Sequence, residues 1–319
     1  MILGQKKLLD NLENACKSGR HSHLYIFEGE RGIGKSTIAM HFANLLICDT
    51  ASGCGSCDSC KSFDRLAHPD VILVSETEKA EIGVDTARNL IKEVYLRPQL
   101  SKKRVFIIKN AEKLNRSAQN ALLKVIEEPP EYAVFILLCD NSAMLLNTIL
   151  SRGVRVTIPP LDKESLTELL RGKNVDNFEF YLSYSGGNPG KLLEILSDEE
   201  FGTLRESVLD SLKYLLTDRY GIYKICDTFE KYKDKKDMLF SITESFFRDI
   251  LFVKTKNGSY IINSDKNELL NKYAQRLSSA SCLKVIGIIE KTNNDMGKNA
   301  NFALVLQAML IECWEAING

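Results

Sequence analysis

The sequence predicts a parallel α/β sheet covered by helices on both faces, followed by an all-helical second half. Three observations predict it. Short apolar runs alternate with helix-patterned stretches between Leu24 and Ile158, as strands buried on both faces do. The stretch Gly29-Glu30-Arg31-Gly32-Ile33-Gly34-Lys35-Ser36 fits G-x-x-x-x-G-K-[ST] at each fixed position. After Pro160 the strand pattern stops, and apolar residues recur at helical spacing.

Taken in order, Leu8, Leu9, Leu12, Ala15 and Cys16 predict a first helix ending near Gly19. Leu24 to Phe27 is the first strand, and the helix after the glycine loop runs to about Ile47. In such a strand–loop–helix unit the glycines let backbone N–H groups face a phosphate, and the helix start adds partial positive charge. Gly29, Gly32, Gly34, Lys35, Ser36 and Thr37 are the predicted phosphate-binding residues, with Lys35 on the β/γ-phosphates and Ser36 on Mg²⁺. Val71 to Val74 is a second strand. Asp85 is read as the cap of a helix carrying Ala87, Leu90, Ile91 and Val94. Lys102-Lys103-Arg104 reads as a solvated lead into the strand Val105 to Ile108. A helix from about Ser117 to Ile126 is followed by the strand Ala133 to Leu138, a short helix Asn147 to Leu150, and the strand Val154 to Ile158.

Between the second helix and second strand lie Cys48, Cys54, Cys57 and Cys60. Four thiolates in thirteen residues, three at C-x₂-C-x₂-C, can surround one Zn²⁺ tetrahedrally. An iron–sulfur cluster is the alternative. Zinc is favoured over it because the cysteine–proline that usually completes a ferredoxin spacing is missing. His68, before Pro69, reads as a turn residue rather than a ligand. Cys16, Cys139, Cys226, Cys282 and Cys313 are scattered in apolar surroundings and read as small core residues.

A chain of 319 residues has room for two or three domains. Lys+Arg and Asp+Glu both number 42, so bulk charge does not imply nucleic-acid binding. No apolar run reaches the ~18 residues of a membrane span, and no signal-peptide core follows Met1. A cytoplasmic protein is expected, and there clustered cysteines mean metal rather than disulfides.

The P-loop, the cysteine insertion after its helix, and Gln119-Asn-Ala-Leu-Leu-Lys-Val-Ile-Glu-Glu-Pro-Pro130 together resemble the AAA+ subunits of the bacterial DNA polymerase III clamp loader. Asn147-Thr-Ile-Leu-Ser-Arg152 resembles the stretch that ends in the family's Ser-Arg-Cys motif. The resemblance runs over about residues 1–195, with four motifs in order. It implies an AAA+ P-loop domain over 1–160 with a zinc module at about 48–60, a helical lid over 161–200, and an all-α collar over 201–319.

Within the family the sequence resembles the delta-prime type more than the ATP-hydrolysing gamma/tau motor. The motor pattern ends its third strand in Asp-Glu, where this chain has Lys109-Asn110. An ammonium repels the metal that the aspartate would hold, and an amide cannot act as a general base. Recruiting Glu112 instead would need a shift of register. The resemblance therefore implies a clamp-loader component of the DNA polymerase holoenzyme with little or no ATPase of its own. It also implies assembly with gamma/tau and delta subunits in a hetero-pentamer that acts on the sliding clamp and primed DNA. Zn²⁺ and ATP or ADP with Mg²⁺ are the implied cofactors. Arg152 becomes an arginine finger acting in trans on a neighbour's nucleotide, a task that suits a planar, always charged guanidinium. Without the family it reads as a surface or salt-bridged arginine. Asn141 falls at the sensor 1 position and Lys191 near that of sensor 2, while Gly153 replaces the motif's cysteine.

Overall fold

The computed structural model describes residues 2–75, 81–172, 175–216, 219–296 and 301–319. The chain divides into two compact units, Met1–Gly172 with Gly187–Lys191, and Lys173–Gly186 with Leu192–Gly319.

The first unit contains α1 (Lys6–Lys17), β1 (Leu24–Glu28), α2 (Lys35–Ile47), α3 (Asp58–Asp64), β2 (Val71–Val74), α4 (Val84–Val94), β3 (Arg104–Ile108), α5 (Arg116–Glu127), β4 (Ala133–Cys139), α6 (Asn147–Leu150), β5 (Val154–Thr157) and α7 (Lys163–Leu169). The strands form one sheet in the order β2-β3-β4-β1-β5, paired in parallel. Alternate residues of the inner strands face opposite ways. Leu24, Ile26, Phe106, Ile108, Phe135 and Leu137 pack against Leu90 and Val94 of α4 and Leu122 and Val125 of α5. Tyr25, Phe27, Val105, Ile107, Val134 and Ile136 pack against Leu12 of α1 and Ile38 and Phe42 of α2. Burial on both faces explains why these strands read as continuous apolar runs.

Three local readings need correction. The N-cap of α4 is Gly83; Asp85 lies in the first turn, where its charge meets the helix dipole. Arg104 is not solvated: it is buried, donating to Glu93 Oε2 at 2.7 Å and to the carbonyls of Leu96 and Arg97. α3 was absent from the sequence reading because its cap is a thiol, Cys57, whose Sγ accepts from the Cys60 N–H.

The second unit is helical. It holds α8 (Phe178–Ser185), most of α9 (Pro189–Ser197), α10 (Phe201–Ser211), α11 (Gly221–Lys231), α12 (Lys236–Lys254), α13 (Asn267–Arg276), α14 (Ser279–Asp295) and α15 (Phe302–Asn318). Phe201, Phe229, Phe240, Phe246 and Phe247 fill its core. A buried polar knot joins α10 to the turn before α13. The Arg205 guanidinium stacks 3.7 Å from the Phe180 ring and bonds Asp265 and Asn263, while Asp249 accepts from the Ile262 and Asn263 N–H groups. No helix among the described residues is long and apolar enough to cross a membrane.

Candidate functional site

The parallel sheet brings the ends of β1, β3 and β4 to one edge, and the glycine loop leaves β1 there. Gly32 and Gly34 have φ of +88° and +104°, a region open to glycine at little cost. Gly34 is the N-cap of α2, and no side chain caps that helix. Its first N–H groups therefore remain available to an anion. A Cβ added at Gly34 would meet nothing within 4 Å, so the space over the loop is open. The loop's outward carbonyls are bound by the segment 187–191: Asn188 Nδ2 donates to Arg31 O at 2.8 Å, and the Gly190 N–H to Gly32 O at 3.0 Å. The backbones are so close that a Cβ on Gly190 would sit 2.6 Å from Gly32 Cα. The cradle is thus held open without a ligand.

Lys35, Ser36, Thr37, Lys109, Asn110 and Asp140 line a cleft of about 290 Å³ over the loop. Lys35 Nζ donates to Asp140 Oδ1 at 2.5 Å, to Gly29 O at 2.6 Å and to Glu30 O at 3.0 Å. Gly34 and Thr37 also border an apolar pocket of about 260 Å³ lined by Ile2, Leu3, Ile33, Ile38 and Leu161. A polar anion cleft beside an apolar pocket can take the phosphates and the base of a nucleotide. Magnesium fits less well. It needs hard oxygen ligands in near-ideal octahedral geometry. Lys109 and Asn110 stand at the tip of β3, and the carboxylate that lines the cleft, Asp140, is bound to Lys35.

Asp140, one residue before the expected Asn141, is the side chain that lines the cleft. Asn141 instead accepts from the Ala143 N–H and starts the next turn. The strand end at Cys139 was the available signal, because the residue just past it must face the cleft. Lys191 lies at the start of α9, where its backbone N–H donates to Asn188 Oδ1. Glu112 follows β3 with its Oε2 buried and without a hydrogen-bond partner. The Cys139 thiol is pushed up to about 12 by burial, helped by the negative charges of Glu28, Glu112 and Asp140 and opposed by Lys35.

Arg152 lies at the opposite edge of the sheet. β5 pairs in parallel with β1, Val154 opposite Tyr25 and Thr157 opposite Glu28. Arg152 lies two residues before Val154, the first paired residue of β5, which is level with Tyr25 and about 10 Å back along the strands from Glu28. Its guanidinium is half-exposed, donates to Thr148 O at 2.7 Å and meets Glu127 Oε1 at 2.9 Å. These contacts are to α6 and α5, not to the cradle. The following Gly153 has a packing reason: a Cβ there would meet Ile26 Cδ1 at 2.8 Å and Leu24 Cγ at 3.1 Å.

The Sγ atoms of Cys48, Cys54, Cys57 and Cys60 all lie within 4.8 Å of one another. Ala51, Gly53 and Gly55 turn the chain at positive φ to gather them. The N–H groups of Cys54, Cys57 and Cys60 donate to the sulfurs of Cys48, Cys54 and Cys57, each at 3.4 Å. Burial raises the Cys48 thiol, but hydrogen bonds from Thr50 and nearby backbone outweigh it and bring it down to about 5. Hydrogen bonds from Ser56 and the Cys57 N–H bring Cys54 to about 7. Burial pushes Cys60 up to about 12. Four sulfurs gathered this closely, with Cys48 and Cys54 held toward the thiolate by hydrogen-bond donors, fit a tetrahedral zinc ion.

Two family models match the chain. One, described as DNA polymerase III, delta subunit, covers residues 4–162; the other, described as its C-terminal part, covers 199–315. The tau/gamma subunit of DNA polymerase III from Haemophilus influenzae is 27% identical over 309 residues, covering 92% of this chain and 42% of its own. The delta' subunit from Bacillus subtilis is 26% identical over 320 residues, covering 96% and 95%. The chain spans less than half the length of the first tau and gamma relatives it matches. A crystal structure of a DNA polymerase III gamma subunit-related protein from Thermotoga maritima superposes with a TM-score of 0.51 at 21% identity, covering 97% of this chain and 99% of that one. Identity to the two subunit types is level, so overall similarity does not choose between them.

Proposed function

The chain belongs to the DNA polymerase III delta-subunit family of clamp-loader AAA+ proteins, and on that premise we propose that it is a delta-prime-type subunit. It assembles with gamma/tau and delta subunits and helps load the sliding clamp on primed DNA in replication. The observation that carries this reading is the cleft itself. It keeps the phosphate cradle but has Lys109 and Asn110 where a hydrolysing site has its metal and water-orienting carboxylates. Phosphoryl transfer depends on positioning and charge neutralisation, and both lose a part. Residues 1–160 act as the nucleotide-binding domain, 161–200 as a lid and 201–319 as an oligomerising collar. Arg152 reaches the ATP of the neighbouring subunit in trans, a role favoured by its contacts, which are to α6 and α5 and not to its own cradle. The four cysteines hold one structural zinc ion, since sulfurs within 4.8 Å of one another leave room for a single ion.

The test is turnover. The purified chain should hydrolyse ATP on the order of 10²–10⁵ more slowly than a gamma/tau subunit, and it should raise DNA-stimulated hydrolysis when added to the other subunits. Motor-like turnover by the chain alone would overturn this. It would favour the second reading, a gamma/tau-type motor, for which the unpartnered buried oxygen of Glu112 speaks.

A further inference from the structure

The cleft over the glycine loop has an unusual charge inventory. Arg31, Lys35 and Lys109 line it, against one carboxylate, Asp140. In a hydrolysing P-loop the lysine contacts phosphate while a carboxylate at the tip of β3 helps to hold Mg²⁺, which screens the β- and γ-oxygens. Here the tip of β3 carries a fixed positive charge. Asp140 is held by Lys35 at 2.5 Å, and Glu28 Oε1 accepts from the Ser142 N–H. Glu112 does not line the cleft. Ser36 alone does not make a magnesium site. A metal-free nucleotide, by contrast, carries its full negative charge and needs cations around it.

We infer that the cleft binds the phosphates of a nucleoside di- or triphosphate without a divalent cation, the Lys109 ammonium standing where the magnesium ion of a hydrolysing P-loop stands. This rests on reading the loop as a nucleotide site and names the form of ligand it takes. On entry the phosphate displaces Asp140 from Lys35, and the loop N–H groups and Lys109 take the remaining oxygens. Asp140 weakens binding by competing for Lys35. A site built this way binds nucleotide without turning it over, because the metal needed for transfer is repelled.

Isothermal titration of the full-length chain with ATP and with ADP tests this, in buffer stripped of divalent cations by resin and in excess Mg²⁺. Resin is preferred to a chelator because a chelator would attack the cysteine cluster. The dissociation constant without Mg²⁺ should equal or fall below that with it. Lys109→Ala should weaken metal-free binding about tenfold, the loss of one charge-assisted contact, while Lys109→Arg retains it. Lys109→Asp should reverse the metal dependence, and Asp140→Asn should tighten binding in both buffers. Binding that disappears without Mg²⁺, or metal-free binding indifferent to Lys109→Ala, would overturn the inference while leaving the nucleotide site intact. No binding of either nucleotide in either buffer would overturn both.

Discussion

Asp70 is fully buried at the start of β2 and organises the turn between α4 and β3. It accepts from the N–H groups of Gln99, Leu100 and Ser101 at 2.7–2.8 Å, and from the Ser101 hydroxyl at 3.0 Å. Burial alone would raise its carboxyl, but these donors outweigh it and hold it below its ordinary value. A depressed carboxyl stabilises the fold above its unfolded pKa of ~3.9 and loses that contribution as pH falls through the folded value. Asp70→Asn should therefore cost about 2–4 kcal/mol at neutral pH. In urea unfolding, the gap to the parent chain should narrow below about pH 4. A gap independent of pH would mean the charge is not what matters. At this scale the sequence was uneven. The P-loop was legible because its spacing encodes a backbone shape. Asp140 was not, because a lone acidic residue after a strand looks like any turn. Arg104 was misread because a run of three cations suggests water, while its partner Glu93 lies on another element.

The cysteine insertion and α3 form one element in which helix and cluster depend on each other. Cys57 is both the cap of α3 and a member of the cluster, and Cys60 lies buried inside the helix with its Sγ donating to Asn44 of α2. A bound ion would tie α3 to α2 through these sulfurs. Metal analysis of the purified chain should find about one Zn²⁺ per chain. Cys57→Ser should lose the metal while keeping an N-cap acceptor for α3, and should speed proteolysis within 48–64 at least several-fold. Stoichiometric iron, or a Cys57→Ser chain as protease-resistant as its parent, would remove the zinc assignment. The cluster was legible from spacing alone. The helix within it was not, since a seven-residue segment opening on Asp, Ser and Cys carries too little apolar periodicity to stand out.

For the molecule as a whole, the parallel sheet was readable because burial on both faces leaves an unbroken apolar run for each inner strand. The strand order was not, because pairing between distant segments leaves no local mark. The all-helical character of the second half was also legible, but the buried Arg205–Asp265 pair was not, since residues sixty positions apart meet there. The division of labour proposed above predicts that Arg152→Ala leaves assembly with the other subunits unchanged by gel filtration. It should lower the DNA-stimulated ATPase of the complex by roughly 10³-fold at the one site it serves. If the other subunits mask this, pre-steady-state turnover should expose a missing fraction of active sites. Unchanged hydrolysis by both measures would remove the trans role.

The two edges of the sheet carry a consequence for counting. A subunit with a cradle on one edge and a guanidinium on the other is directional, so under the proposed role its contacts run head to tail and cannot be the self-complementary kind found in a two-fold dimer. In an open row of such subunits the number of completed sites is one fewer than the number of subunits. One end presents a cradle no neighbour completes, and the other an arginine with no nucleotide to meet. Under the proposed role, a chain with Arg152 in place and with Lys109 and Asn110 at the tip of β3 fits the terminal position where no neighbour completes its cradle. Under the proposed role that position does not need carboxylates at the tip of β3.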